Sequence, residues 1–177
     1  MNLFFRYIIS VSLLSVTLQS QGTYEIKNFE LTRCENTEDD PVTVENLTIS
    51  LGNEVSPIVS GVFTTKIDLY APIKYSTIME KKIIWWIMMP CINNMGSCTF
   101  NDICTYGTPT NETCPAVFQD LPCRCPIKKG TYIIPPRISS IFAESLIVTG
   151  SYKGTITMSS NDTRLACYDT SFQIYST

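Results

Sequence analysis

Residues 91–125 read CINNMGSCTFNDICTYGTPTNETCPAVFQDLPCRC, and six of the chain's eight cysteines stand there among prolines and glycines. A segment so composed has too little apolar surface to fold by burial alone. Crosslinks must hold it, and they decide the surface it presents. It begins directly after the apolar run Ile83 to Met89 and ends just before a second apolar strand candidate at Tyr132. The spacings between its cysteines are 7, 6, 10, 9 and 2, with no Cys-x-x-Cys pair, and the chain has no histidine. Disulfides are therefore expected rather than a metal site. The missing histidine also removes Ser-His-Asp and Cys-His catalysis. No phosphate-cradling glycine loop is present, and Asp39 and Asp40 are neighbours in a loop rather than facing carboxylates. Distant carboxylates can still converge, but the expectation is a non-catalytic chain with no cofactor and no metal.

Outward from this stretch, the N-terminus reads as a secretory signal. Arg6 supplies charge, Tyr7 to Leu18 an apolar core, and Ser20-Gln21-Gly22 the small residues of a cleavage site. Residues 1–20 are assigned to the signal, with cleavage after Ser20 or Gly22, and 23–177 to a single domain. Oxidised cysteines agree with export, as do sequons at Asn46, Asn111 and Asn161. A secreted or lysosomal destination follows. With 44% apolar and 16% charged residues the chain is globular, and its net charge of −3 argues against nucleic acid.

The body of the chain reads as about eight strands, mostly antiparallel: an all-β sandwich or cup. Tyr24 to Leu31 is one strand, followed by a solvated acidic turn from Glu35 to Pro41. In Val42 to Leu51, Leu47, Ile49 and Leu51 share one face and Asn46, Thr48 and Ser50 the other, so a glycan on Asn46 points away from the apolar side. Gly61 to Tyr70 alternates Phe63, Thr65, Ile67 and Leu69 against Lys66 and Asp68, and Ala71-Pro72 breaks it. Tyr75 to Met79 follows, then a charged turn, Glu80-Lys81-Lys82. Tyr132 to Ile134 is ended by Pro135-Pro136. Gly150 to Ser159 alternates Tyr152, Ile156 and Met158 against Lys153, Thr155 and Thr157. The last strand holds Leu165, Cys167, Phe172 and Ile174.

Two stretches break the alternation. Ile83 to Met89 is apolar on both faces, which suits a central strand covered twice by protein, or one whose second face lines a lipid cavity. Ile138 to Val148 is a loop rich in Ile138, Ile141, Phe142, Leu146, Ile147 and Val148. An apolar loop is buried or meets a ligand, a partner or a membrane. The cysteines allow 105 pairings, with two limits. Cys123 and Cys125 are too close to bond easily, and Cys34 and Cys167, near the two chain ends, are natural partners. That bridge would restrict the unfolded chain by about 5 kcal/mol.

Trp86-Ile87-Met88-Met89-Pro90-Cys91, Gly96-Ser97-Cys98-Thr99-Phe100, Cys104, Cys114-Pro115, Leu121-Pro122-Cys123-Arg124-Cys125-Pro126, Lys129-Gly130-Thr131-Tyr132 and Thr149-Gly150-Ser151-Tyr152 carry a resemblance. In this order they resemble the ganglioside activators of the MD-2-related lipid-recognition family, from about Phe29 to Cys167. The resemblance implies an eight-stranded β-cup around a hydrophobic cavity. It implies a lipid carrier that presents its cargo to a soluble lysosomal glycosidase, β-hexosaminidase in the family. It implies bridges Cys34–Cys167, Cys91–Cys98, Cys104–Cys125 and Cys114–Cys123. The expected partners are a glycosphingolipid or phospholipid, a membrane surface touched transiently, and a glycosidase. Expected at the cavity or its mouth are Phe63, Ile67, Leu69, Trp86, Met88, Tyr132, Ile134, Ile138, Ile141, Phe142, Leu146, Tyr152, Ile156 and Met158. Among these, Ile141, Phe142 and Leu146 are expected to dip into the membrane. The family's mouth loop carries a tryptophan where this chain has Leu146-Ile147, and a lysine of its Trp strand is Met88 here. Two readings outside the activator remain: a secreted, disulfide-rich interaction module without lipid cargo, and a carrier of a smaller apolar ligand such as a fatty acid or sterol.

Overall fold

A computed structural model describes residues 24–51, 57–92, 94–106, 122–138 and 148–176. The described residues form nine strands: β1 (Tyr24–Arg33), β2 (Val42–Leu51), β3 (Pro57–Thr65), β4 (Lys74–Lys82), β5 (Trp86–Met88), β6 (Thr99–Phe100), β7 (Gly130–Ile138), β8 (Gly150–Ser160) and β9 (Thr163–Ser176), with a short 3₁₀ turn at Ile103–Tyr106. The large sheet runs β1-β9-β8-β4-β5, with β6 also on β4, and the small sheet runs β2-β3-β7. Every strand pair is antiparallel. The result is an all-β sandwich.

The two sheets meet through Val42, Leu69, Ile73, Leu165, Ala166 and Tyr168, with Phe63, Ile103, Ile127 and Met158 packed against them. The Val44 amide donates to the Tyr168 hydroxyl at 2.7 Å, a direct bond from small sheet to large. Where β8 turns into β9, Asn161 and Asp162 both have positive φ, 47° and 61°. Asn and Asp tolerate that region, and a two-residue turn of this kind matches the twist of a hairpin.

In β2 the expected faces hold: Leu47, Ile49 and Leu51 are half-buried, while Asn46, Thr48 and Ser50 are exposed. Elsewhere the structure departs from the pattern. The alternating strand at Gly61 to Tyr70 begins earlier, at Pro57, and stops at Thr65. The Thr65 hydroxyl then donates to the Ile67 carbonyl at 2.6 Å and turns the chain out of the sheet. The charged segment Glu80-Lys81-Lys82 is not a turn; β4 continues through it and pairs with β5 and β8. Pro135-Pro136 does not end a ladder. β7 is an edge strand whose register shifts opposite Val59 and Gly61, where missing amides cost nothing.

The largest departure is Ile83 to Met89. Only Trp86–Met88 is strand, and it lies at the edge of the large sheet, not at its centre. The doubly covered strand is β9, where Leu165, Ala166, Cys167 and Tyr168 are all buried in succession. One face of β9 meets the small sheet. The other is covered by the segment after β1, an acidic turn in which Glu35, Glu38 and Asp39 are solvated as expected while Thr37 and Asp40 are buried. Asp40 there is 6% exposed, and its two carboxylate oxygens accept from Arg164 Nε at 3.0 Å. Thr37, also buried, donates to the Cys34 carbonyl at 2.7 Å. The Cys34–Cys167 disulfide fastens this flap to β9.

Three of the four expected disulfides lie among the described residues: Cys34–Cys167, Cys91–Cys98 and Cys104–Cys125. The fourth, Cys114–Cys123, involves Cys114, which lies outside them; Cys123 is itself disulfide-bonded. The signal segment, the sequon at Asn111 and the loop residues Ile141, Phe142 and Leu146 also lie outside the described residues. Asn46 and Asn161 are both exposed.

Candidate functional site

The stapled stretch builds one wall of a void between the sheets. Asp102 begins the 3₁₀ turn: one carboxylate oxygen accepts from the Cys104 amide at 3.0 Å and from the Ile73 amide at 3.1 Å. It thus caps a turn and ties it to the start of β4. The Cys104–Cys125 bridge brings Ile103 and Ile127 to the same place. Ile127 then exchanges two backbone hydrogen bonds with Leu69, at 2.8 and 2.9 Å. Ile73, Ile103, Ile127 and Leu69 thereby form an apolar floor.

Above this floor lies a cavity of ≈ 220 Å³. β3 contributes Phe63, β7 contributes Tyr132 and Ile134, β8 contributes Met158, and Pro122 closes one side. Among the described residues, no charged side chain lines it. The Phe63 and Tyr132 rings lie 6.1 Å apart, and the Tyr132 hydroxyl donates to the Lys128 carbonyl at 2.6 Å, outside the void. The phenol is satisfied there while its ring faces inward.

Away from the core the inner face of the large sheet remains apolar but is less covered among the described residues. Ile26 and Phe29 of β1, Ile156 of β8, and Phe172 and Ile174 of β9 are only half-buried. Tyr152 is buried, stacked on Phe172 with centroids 5.1 Å apart. Burial pushes the Tyr152 phenol above the ordinary tyrosine range, so it stays neutral. Among the described residues, the sandwich is therefore closed at one end by Val42, Leu69, Ile73 and Leu165, and apolar but only half-covered toward the other.

Of the residues expected at the cavity, Phe63, Leu69, Tyr132, Ile134 and Met158 line the void. Ile156 and Tyr152 lie farther along the inner face of β8, in register with Thr77 and Lys81 of β4. Ile138 ends β7 opposite Ile58. Three others lie away from this void. Ile67 is 46% exposed beyond the end of β3. Met88 is 63% exposed on the edge strand. Trp86 shares the outer face with Lys82 and Lys153, whose ammonium groups lie 6.0 and 4.7 Å from its ring centroid. Strand parity groups residues by face without saying which face is inside. Ile73, Ile103, Pro122 and Ile127 were missed because they lie in connectors, where no period marks them. The adjacency of Ile103 to Cys104 and of Ile127 to Cys125 was the available signal.

Next to the open end is a further apolar surface. The turn between β4 and β5 exposes Ile83 by 68%, Ile84 by 79% and Trp85 by 66%. No core packing accounts for three such side chains in a row.

A model of the ML domain matches residues 28–174. The chain is 31% identical over 172 residues to the ganglioside GM2 activator of Macaca fascicularis, covering 90% of each. It is 34% identical over 140 residues to the ganglioside GM2 activator of Mus musculus, covering 72% of each. A solved structure of a Niemann-Pick type C2 protein from the Japanese carpenter ant covers 86% of the chain at 13% identity, with a TM-score of 0.32.

Proposed function

The chain belongs to the ML-domain family of lipid-binding, non-catalytic proteins, and on that premise we propose that it lifts a membrane lipid into the space between its sheets and presents the headgroup to a soluble glycosidase. The observation that carries this reading is the cavity: among the described residues its lining is uncharged, and the inner face of the large sheet is only half-buried toward one end.

Burial of a methylene is worth about 0.8 kcal/mol, so a 16-carbon tail in water costs roughly 13 kcal/mol. A tail passing from bilayer to cup trades one apolar medium for another, at a net cost near zero. A dry cup open at one end therefore suits exchange rather than permanent capture. The exposed Ile83-Ile84-Trp85 turn supports docking, because it stands at the end of the large sheet remote from the core, beside the start of β8. In this reading the docking role expected of Ile141, Phe142 and Leu146 is shared with that turn. The two relatives named as ganglioside activators support a sphingolipid as cargo, and the apolar N-terminal segment and the eight cysteines support secretion or lysosomal delivery as the route.

The size of the void favours a second reading. At ≈ 220 Å³ it lies below the roughly 300–1,000 Å³ of common small-molecule sites, which suits a carrier of a single fatty acid or a sterol. Vesicle transfer of fluorescent ganglioside, phosphatidylcholine and fatty acid distinguishes the two. Transfer of two-tailed lipid, together with stimulation of a glycosidase on vesicle-bound glycolipid, supports the activator. Transfer of fatty acid alone supports the smaller carrier, and no transfer refutes both.

A further inference from the structure

On the inner face of the large sheet one charged side chain stands among apolar ones at the open end. Lys81 lies in register with Tyr152 of β8 on one side and Ile87 of β5 on the other. Tyr152 is buried and stacked on Phe172 between the sheets, so Lys81 shares that interior face. Two contacts hold it there. Its ammonium lies 5.6 Å from the Tyr152 ring centroid. A Cβ on Gly150 would stand 2.9 Å from Lys81 Cε, so the lysine's alkyl arm fills the space that a side chain at Gly150 would take. Gly150 also has a φ of +145°, which L side chains rarely adopt. Backbone and packing thus both keep this seat free for the lysine.

Apart from the Tyr152 ring, no carboxylate among the described residues answers the charge. The ion pairs among the described residues are Lys27–Glu25, Lys128–Asp68, Lys153–Glu80 and Arg164–Asp40, and none involves Lys81. An ammonium partly withdrawn from water among aromatic and aliphatic groups is costly unless it meets water or an anion. A tail lying along Ile156 and Met158 would put the head of its own molecule at this height on β8.

We propose that Lys81 reads the charge of the cargo: the preferred ligand is an acyl amphiphile whose anionic headgroup, a carboxylate or a phosphate, meets the Lys81 ammonium while its tail lies between the sheets. This rests on the lipid-carrier reading and narrows it. Lys82 and Lys153 do not serve this end, because both face outward over Trp86.

The test uses the full secreted protein and three twelve-carbon probes kept below micelle formation: dodecanoate, dodecyl phosphate and dodecanol. Binding is read by calorimetry. Wild type is expected to prefer the anions over dodecanol by about tenfold or more, the scale of one charge-assisted hydrogen bond. Lys81→Gln collapses that ratio toward one, Lys81→Arg keeps it, and Lys82→Gln keeps it. The ratio between the carboxylate and phosphate arms tells which headgroup the site favours. Equal binding of dodecanol and the anions by wild type, or an undiminished preference in a folded Lys81→Gln variant, overturns the assignment to Lys81 alone. Failure of all three probes overturns the carrier reading, and this assignment with it.

Discussion

Replacing Ile83, Ile84 and Trp85 together by serine should sharply weaken the protein's hold on membranes without disturbing its fold. The three side chains are 68%, 79% and 66% exposed. Burying a large apolar side chain completely is worth about 1.5–3 kcal/mol. With two-thirds or more of each surface still to be withdrawn from water, insertion would recover roughly 1–2 kcal/mol apiece. The triple variant therefore forfeits on the order of 3–6 kcal/mol, at least a hundredfold in partition. Since little of that surface is packed in the folded state, the melting temperature should stay within about 2 °C of wild type. Co-sedimentation with phosphatidylcholine vesicles measures the partition, and calorimetry measures the melt. Unchanged co-sedimentation by a folded triple variant would refute the docking role of this turn. A large drop in Tm would show that the turn is packed in solution and that the surface was misjudged.

Three other substitutions follow from the same packing. Met158→Trp fills the void against Phe63 and Ile134; overpacking costs about 1–3 kcal/mol, and lipid transfer should fall by far more than stability does, measured by vesicle transfer beside a denaturant melt. Asp40→Asn leaves the Arg164 guanidinium without its carboxylate and loosens the flap over β9; a loss of about 1–3 kcal/mol in urea unfolding is expected. Gly96 has φ +95°, and a Cβ there would stand 2.2 Å from the Pro90 carbonyl oxygen. Gly96→Ala should therefore cost more than about 1 kcal/mol, read as a lowered urea midpoint, and a neutral result would mean that the Cys91–Cys98 loop is free to rearrange.

The legible parts of this fold were those with a period or a covalent logic. Leu47, Ile49 and Leu51 announce a half-buried strand because every second residue is apolar, and β2 has those limits. Cys34 and Cys167 announce their bridge by standing apart from the cluster near the two chain ends. Ile83 to Met89 misleads because hydropathy records only that a side chain is apolar, not whether protein covers it. An exposed apolar turn and a central strand have the same composition. Asp40 misleads in the opposite sense, as its acidic neighbourhood reads as solvated until Arg164, far along the chain, arrives to neutralise it. Phe63 and Met158 sit in alternating strands and line the void, whereas Trp86 sits in a run apolar on both faces, where no period marks a side, and it lies outside with Lys82 and Lys153. Lys81 could not have been singled out, since its meaning depends on Gly150 and Tyr152 across the sheet.

Native mass spectrometry of the protein, purified from a secreting cell without detergent, bears most directly on the existence of a cargo space. A non-covalent adduct with the mass of an acyl lipid, released on collisional activation and lost in Met158→Trp, is the expected spectrum. A folded, fully disulfide-bonded protein that shows only its bare mass, and stays bare after incubation with vesicles, would mean that the sheets enclose no carrier site.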